Sequence, residues 1–166
     1  MRRGGRVFIT GYGIITSIGK NAEENLHSLT EQRHGYGDID ILKTAHSHDL
    51  RCCEIKISDE ELRQMSGGVG SGLTRTTLLA LVALREAIDH AGLSQQDLSK
   101  SGLLSSTTTG GIREFERNFF DILDLTRHGE FEQFADTAIP GDHSERIAEQ
   151  MGIHNYVATV STACSS

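Results

Sequence analysis

The stretch YVATVSTACSS, residues 156–166, contains the pattern that decides how this chain is interpreted. Residues 156–160 are mostly β-branched or aromatic, which predicts a strand. Only small residues flank Cys164, the cysteine that follows this strand. A thiol that attacks a thioester must be reached through a narrow channel, so small neighbours suit that chemistry. Binding and catalytic sites of open α/β sheets lie at the carboxyl ends of strands, which is where Cys164 is predicted to lie.

A helix beginning after Cys164 would strengthen this interpretation. Its free backbone N–H groups and the positive end of its dipole would stabilise a thiolate. The same donors could hold the oxyanion of a tetrahedral intermediate. The pattern alone also fits a structural cysteine, because cysteines are among the residues most often buried in a core.

Strand and helix patterns alternate along the chain and predict an α/β layer with mostly parallel strands. Short apolar and β-branched runs predict strands over residues 6–10, 103–108 and 156–160. Apolar spacings and capping residues predict helices from Asn21 to about Glu31, from Ser58 to about Met65, from about Leu78 to Ala91, over residues 114–127, and from Asp142 or Ser144 to Met151. We detect no internal repeat or low-complexity linker, so residues 1–166 are predicted to form a single α/β half-domain.

Some of these helices carry more specific predictions. Ala22, Leu26 and Leu29 share one face of the first helix. The long helix is nearly apolar over its first half, so we expect it to be buried on more than one side and to end at Gly92. Ile147 and Met151 are expected to point inward from the last helix.

Composition excludes several classes of protein. The net charge of −7 argues against a general nucleic-acid binder, which would show a basic face. No apolar run reaches the ~18 residues that a membrane-spanning helix needs, and nothing resembles a secretory signal. The expectation is a soluble cytoplasmic protein. The cysteines agree with a cytoplasmic location, because their number is odd and Cys52 and Cys53 are adjacent, which favours reduced thiols over disulfides. We expect Cys52 and Cys53 to pack in the core.

Three other patterns suggest sites but have simpler interpretations. The sequence GYGIIT, residues 11–16, has Thr16 where a dinucleotide-binding fingerprint needs its third glycine, so no cofactor is predicted. His46, His48 and Asp49 lack further metal ligands at a suitable spacing and are expected to lie in a solvated loop, with no metal site. The neighbouring acids Glu60 and Glu61 are typical of a helix start rather than of a paired acid and base.

Four segments, taken together and in order, resemble the elongating β-ketoacyl-acyl-carrier-protein synthases. They are distributed over nearly the whole length of the chain: RVFITGYGIITSIG (residues 6–19), RTTLLALVALREAIDHAGL (residues 75–93), LLSSTTTGGI (residues 103–112) and TACSS (residues 162–166). The first is similar to the entry motif of that family and the second to its long buried helix. The third resembles the strand and glycine pair before its dimer-facing segment. The fourth resembles its nucleophile motif.

The resemblance implies the N-terminal half of a thiolase-type fold, which is built of αβαβα layers with a mostly parallel sheet and flanking helices. The chain would be truncated after the cysteine, and the C-terminal half would be absent. In the family this cysteine accepts an acyl chain from the phosphopantetheine of acyl carrier protein. Malonyl-carrier protein then loses carbon dioxide, and the resulting carbanion attacks the acyl thioester. The resemblance therefore implies an acyltransferase of fatty-acid or polyketide-like biosynthesis, with Cys164 as its nucleophile.

The same resemblance implies further site residues and partners. Thr109 and Phe134 match positions that line the acyl pocket near the dimer interface. The complete protein would work on acyl and malonyl thioesters as a homodimer or as a heterodimer of related chains. The two histidines and the lysine that the family needs belong to its C-terminal half, so residues 1–166 alone are expected to be inactive.

Departures from the family pattern leave the acyl preference open. The sequence DHSE (residues 142–145) replaces a small, glycine-containing stretch of the family. The sequence HNY (residues 154–156) stands where the family commonly has Arg-Gly-Pro, and Ser166 stands where it frequently has glycine. Besides a binding or structural α/β module with a chance cysteine, two alternative functions remain. One is a non-catalytic chain-length partner, against which Cys164 argues because such partners usually lack the nucleophile. The other is a thiolase-like enzyme that uses coenzyme A thioesters.

Overall fold

The structure is a computed structural model that describes residues 6–165, apart from the side chain of Ser165. The helices and strands of this part are, in chain order, α1 (Ala22–Thr30), β1 (Tyr36–Gly37), β2 (Cys52–Cys53), α2 (Asp59–Ser66), α3 (Arg75–Ala91), α4 (Gln95–Lys100), β3 (Gly102–Ser106), α5 (Ile112–Arg117), α6 (Phe119–Leu123), α7 (Pro140–Met151) and β4 (Tyr156–Val160), with 3-10 helices at Glu130–Ala138 and Ala163–Ser165. Contacts divide the chain into two compact units. The first unit comprises Met1–Ile57 and Val82–Leu93, and the second comprises Ser58–Leu81 and Ser94–Ser166.

In the first unit, α1 begins as predicted but buries a different face. The side chain of Asn21 accepts a hydrogen bond of 2.9 Å from the backbone of Glu24, which confirms the predicted cap. The predicted apolar face is exposed: Leu26 and Leu29 keep 63% and 64% of their surface in solvent. The buried face is polar instead. Asn25 donates to the carbonyl of Gly19, and Ser28 donates to the carbonyl of Ile18, so α1 packs against the loop that precedes it.

The predicted strand over residues 6–10 is wrong. These residues have no strand structure, and Val7 and Ile9 are at least nine-tenths exposed. A strand needs a neighbour to pair its backbone groups, and in residues 6–165 neither of the two sheets includes residues 6–10. A β-branched composition alone therefore does not form a strand here.

Gly11 and Gly13 lie directly against the second half of α3. A Cβ atom on Gly11 would lie 2.8 Å from the Cβ of Ala91 and would overlap the carbonyl oxygen of Ala87. A Cβ on Gly13 would overlap the carbonyl oxygen of Ala83. This close approach of a backbone to a helix requires glycine at both positions.

A short antiparallel ribbon of β1 and β2, which the sequence did not predict, pairs Tyr36 with Cys53 and Gly37 with Cys52. Cys53 is exposed and Cys52 is only half-buried. The prediction that both cysteines pack in the core is therefore wrong, because alternating residues of a two-stranded ribbon point to opposite faces. The carboxylate of Glu54 accepts hydrogen bonds from the backbone N–H groups of Asp40, Ile41 and Leu42 and folds that loop beside the ribbon.

Helix α2, in the second unit, and helix α3, whose second half belongs to the first unit, form largely as predicted. The side chain of Ser58 caps α2 by accepting from the N–H of Glu61 at 3.1 Å, and Glu60 and Glu61 lie in the first turn of that helix. Helix α3 ends before Gly92, whose φ of 65° is the left-handed conformation of a helix stop. Every residue of α3 from position 75 to 88 is buried or half-buried, which confirms that this helix is covered on more than one side.

Strands β3 and β4 form a parallel pair, with Gly102 opposite Tyr156 and Ser106 opposite Val160. The parallel arrangement and the bounds of β4 are as predicted. Strand β3 ends two residues before the predicted position. The hydroxyl of Thr107 accepts a hydrogen bond of 3.0 Å from the N–H of Gly110, so residues 107–110 turn instead of extending the strand.

The remaining helices depart from prediction in three places. The predicted helix over residues 114–127 is divided into α5 and α6 at Asn118, whose side-chain amide donates to the carbonyl of Glu114. Helix α4 and the 3-10 helix Glu130–Ala138 were not predicted. Helix α7 begins at Pro140, whose lack of an N–H suits a first turn, and neither Asp142 nor Ser144 caps it.

The end of α7 agrees with the sequence. Ile147 and Met151 are buried, as predicted. Among the described residues, no helix combines the length and the apolar character that crossing a bilayer requires.

Candidate functional site

Cys164 lies in a short turn just after β4. The turn is the 3-10 segment Ala163–Ser165, and the Cys164 side chain is an exposed, free thiol. Ala163 has a φ of 53°, in the left-handed region that L-residues other than glycine, asparagine and aspartate rarely adopt. Such a conformation typically costs an alanine about 1–2 kcal/mol. Strained backbone of this kind clusters at functional sites, where the surrounding structure holds it in place.

The neighbouring strand holds this turn. Because β3 and β4 are parallel and in register, their carboxyl ends meet at one edge. The N–H of Thr107 donates to the carbonyl of Val160 at 3.3 Å and extends the pairing by one residue. The hydroxyl of Thr108 then donates to the carbonyl of Ala163 at 3.1 Å. The turn that presents the thiol is therefore bonded to the end of β3.

Buried hydroxyl groups lie behind β4. Thr159 donates to the side chain of Ser144 in α7 at 2.6 Å, and Ser144 is fully buried. In the same unit, the hydroxyls of Thr74 and Thr77 are 3.0 Å apart, and that of Thr77 lies 3.3 Å from Nδ1 of His143. Burial lowers the pKa of His143, so its imidazole is held neutral beside that hydroxyl.

The two residues predicted for an acyl pocket do not lie in one cavity. Phe134 is half-buried and, with Leu73, Leu78 and several charged side chains, lines a cavity of about 380 Å³ in the second unit. Thr109 is exposed, and its carbonyl accepts a hydrogen bond from the N–H of Ile112. Neither Thr109 nor Cys164 is among the described residues that line this cavity. The acyl-pocket role of both residues stays a prediction.

The cavity beside Phe134 has a balanced set of charges. It is lined by Arg63, Arg75, Arg117, Asp59, Glu60 and Glu114. Arg75 and Asp59 form an ion pair of 2.6 Å. Glu114 is buried, and burial raises the pKa of its carboxyl group although Arg113 and Arg117 act in the opposite direction. The charges within this cavity largely compensate one another.

His46 and Asp49 lie in an exposed turn, with their side chains 3.9 Å apart. Within residues 6–165, no group of three or more histidine, cysteine or acidic side chains is arranged to hold a metal ion.

Sequence reasoning located the thiol but missed the residues that hold it. The contact between Thr108 and Ala163 and the contact between Ser144 and Thr159 both depend on the pairing of β3 with β4 and on the packing of α7. The serine- and threonine-rich composition of residues 103–108 was the visible signal for a hydroxyl near the turn. Composition alone does not specify which hydroxyl makes the contact.

The fold agrees with comparisons to known proteins. The chain is 32% identical over 109 residues to 3-oxoacyl-[acyl-carrier-protein] synthase 1 of Haemophilus influenzae and 31% identical over 111 residues to the protein of the same name from Escherichia coli K12. These matches cover 63% and 65% of this chain. They cover 26% and 27% of the relatives, so the matched part spans about a quarter of each curated relative.

A solved structure, "The ishigamide ketosynthase/chain length factor", superposes with a TM-score of 0.74 and 27% sequence identity. The superposition covers 93% of this chain and 39% of that one. It confirms the predicted fold class, the N-terminal half of a thiolase-type ketosynthase fold. The family profile described as "Beta-ketoacyl synthase, N-terminal domain" matches residues 5–166. The chain therefore belongs to the β-ketoacyl synthase family, of which it represents the N-terminal domain.

Proposed function

We propose that this chain supplies the nucleophile of a β-ketoacyl-acyl-carrier-protein synthase, and that the nucleophile is Cys164. The observation that carries the proposal is the placement of a free thiol at the carboxyl end of β4, on a turn in which Ala163 is strained.

The first step transfers the acyl group to the protein. The thiolate of Cys164 attacks the carbonyl carbon of an acyl thioester, and the electron pair of the C=O bond moves to oxygen. The tetrahedral intermediate collapses and breaks the bond to the sulfur of phosphopantetheine. That sulfur leaves with the proton that Cys164 gave up, and the acyl group remains on Cys164 as a new thioester.

The second step forms the carbon–carbon bond. A malonyl thioester loses carbon dioxide, and the electron pair of the broken bond stays on the α-carbon. This carbanion attacks the carbonyl carbon of the acyl group on Cys164. The sulfur of Cys164 leaves as a thiolate, and the product is a 3-oxoacyl thioester on the carrier.

The partners of the proposed enzyme follow from the same assignment. Two of its relatives are named as synthases that act on acyl carrier protein, and the proposal extends that carrier to this chain. We place the complete protein in the cytoplasm, as a homodimer or as a heterodimer of related chains. The presence of a cysteine at position 164 argues against the alternative of a non-catalytic chain-length partner, because such partners usually lack the nucleophile.

The proposal is tested by condensation with the full-length protein. Incubation with an acyl-carrier thioester and malonyl-carrier protein should yield the 3-oxoacyl-carrier product, identified by mass spectrometry. Cys164→Ala should abolish the product, whereas Cys53→Ala, which removes another exposed thiol, should not. Condensation that persists in Cys164→Ala would contradict the assignment. A rate that is higher with coenzyme A thioesters than with carrier thioesters would favour a thiolase-like enzyme.

A further inference from the structure

We propose that Thr108 is a positioning residue for Cys164. Its hydroxyl holds the carbonyl of Ala163 and thereby fixes the turn that presents the thiol. This inference rests on the proposed function of Cys164 as an acyl acceptor. It adds a residue that neither the sequence pattern nor the family assignment identifies.

The fold brings Thr108 to the turn through strand pairing. Thr108 and Ala163 are 55 positions apart in the sequence, and each lies a few residues beyond the end of its strand. The pairing of Ser106 with Val160, followed by the bond from the N–H of Thr107 to the carbonyl of Val160, aligns the two chain segments. The hydroxyl of the next residue, Thr108, then meets the carbonyl of Ala163 at 3.1 Å.

The Thr108 hydrogen bond is made to Ala163, a residue with an unfavourable backbone conformation. Among residues 6–165, only Gln32 and Ala163 have a positive φ without being glycine. A glycine adopts this conformation freely, whereas the Cβ of an alanine disfavours it. A hydrogen bond to the carbonyl of Ala163 stabilises one orientation of the peptide unit between Ala163 and Cys164. The bond therefore favours the strained conformation over the relaxed alternatives.

The orientation of this peptide unit determines where the sulfur points. The peptide nitrogen and the Cα of Cys164 both belong to the unit that the Thr108 bond holds. A displacement of about 1 Å at a reacting atom can reduce a rate by about a hundred-fold. Because the turn has other supports, including the paired strands, we expect a smaller loss when this one bond is removed.

The first experiment compares Thr108→Val, which keeps the side-chain shape, with Thr108→Ser, which keeps the hydroxyl. In the full-length protein, the rate of Cys164 acylation by a saturating acyl-carrier thioester should fall about ten-fold in Thr108→Val, with KM unchanged, and less than about three-fold in Thr108→Ser. Thr30→Val is the matched control, because Thr30 is also exposed and its hydroxyl also donates to a backbone carbonyl. It should leave the rate unchanged.

A second comparison separates positioning from a general loss of structure. Ala163→Gly removes the strain of the left-handed conformation, so it should restore most of the acylation rate when combined with Thr108→Val. Alkylation of Cys164 by iodoacetamide, a small reagent that needs no aligned thioester, should change less than about two-fold in all these variants.

The outcomes distinguish this inference from the proposed function. Acylation of Cys164 at equal rates in the wild type and Thr108→Val would overturn the role of Thr108 alone. An equal loss in Thr108→Ser and Thr108→Val, or no recovery with Ala163→Gly, would also overturn it. Absence of acylation in the wild type would overturn both the proposed function and this inference.

Discussion

The hydroxyl of Thr159 in β4 donates a hydrogen bond of 2.6 Å to the hydroxyl of Ser144 in α7. Ser144 is fully buried, and Thr159 lies five positions before Cys164. The strand that leads to the candidate nucleophile is therefore bonded to the helix behind it. Ser144 lies inside α7, which begins at Pro140, and does not cap it.

Ser144→Ala should destabilise the protein by about 1–2 kcal/mol, because the Thr159 hydroxyl loses its buried partner. The measurement is the free energy of unfolding in urea. Ser99→Ala is the control, because Ser99 is exposed in α4, and it should change stability by less than about 0.5 kcal/mol. If Ser144→Ala and Ser99→Ala are equally stable, the bond between α7 and β4 contributes nothing.

Gly13→Ala should destabilise the protein by about 2–3 kcal/mol, because the added Cβ would overlap the carbonyl oxygen of Ala83 and lie 2.9 Å from the nitrogen of Ala87. Gly141→Ala provides the matched control. Gly141 lies in α7, and an added Cβ there meets nothing nearer than 4.0 Å. That change should be neutral or stabilise by up to about 1 kcal/mol. Thermal unfolding that shifts equally in both variants would contradict the close packing of residues 11–13 on α3.

Glu114→Gln should stabilise the protein more at pH 7 than at pH 4. Burial raises the pKa of the Glu114 carboxyl above its ordinary value of 4.5, so the folded state binds this proton more tightly than the unfolded state. Its contribution to stability is therefore complete below about pH 4.5 and is lost as the pH rises through the folded-state pKa. Glutamine carries no charge at any pH and avoids that loss.

The measurement for this variant is urea unfolding of wild type and Glu114→Gln between pH 4 and 7. The difference in free energy of unfolding should grow with pH. Glu116→Gln is the control for replacing a carboxylate by an amide, because Glu116 is exposed on the same helix, α5. A Glu114→Gln difference that does not change with pH would contradict the effect of burial on this carboxyl.

Much of the fold could be predicted because its signals are local. The caps at Asn21 and Ser58 use side chains within three residues of the N–H groups they bind. Helix α3 follows from its apolar spacing and from Gly92, and β4 follows from residues 156–160 alone. Each of these features depends on neighbours in the sequence, so a sequence pattern contains them.

The predictions that the structure contradicts failed for other reasons. Residues 6–10 have strand composition, but strand formation needs a pairing partner, which the described residues do not supply. The division between α5 and α6 lies at Asn118, whose side chain bonds the carbonyl of Glu114 four residues earlier. The exposure of Cys53 depends on which face of a two-stranded ribbon is covered. Tertiary contacts decide the first and the third of these features, and composition reports none of the three.

The candidate site also has one feature that the sequence predicted and others that it did not. Cys164 was identified from its position after a strand and from small neighbours, both of which are local. The hydrogen bonds that hold the turn and its strand were not predicted from the sequence. Thr108 bonds to Ala163 across 55 positions of the chain, and Thr159 bonds to Ser144 across 15. The left-handed conformation of Ala163 has no sequence signal, since glycine is the residue that usually marks it.

The central claim is that Cys164 accepts an acyl group, and intact mass spectrometry after mixing the full-length protein with an acyl-carrier thioester tests it most directly. Malonyl-carrier protein is left out, so that the acyl-enzyme accumulates. The account predicts one acyl adduct that maps to Cys164, is released by hydroxylamine, and is absent from Cys164→Ala. An unmodified wild-type protein, or an adduct that persists in Cys164→Ala, would contradict it.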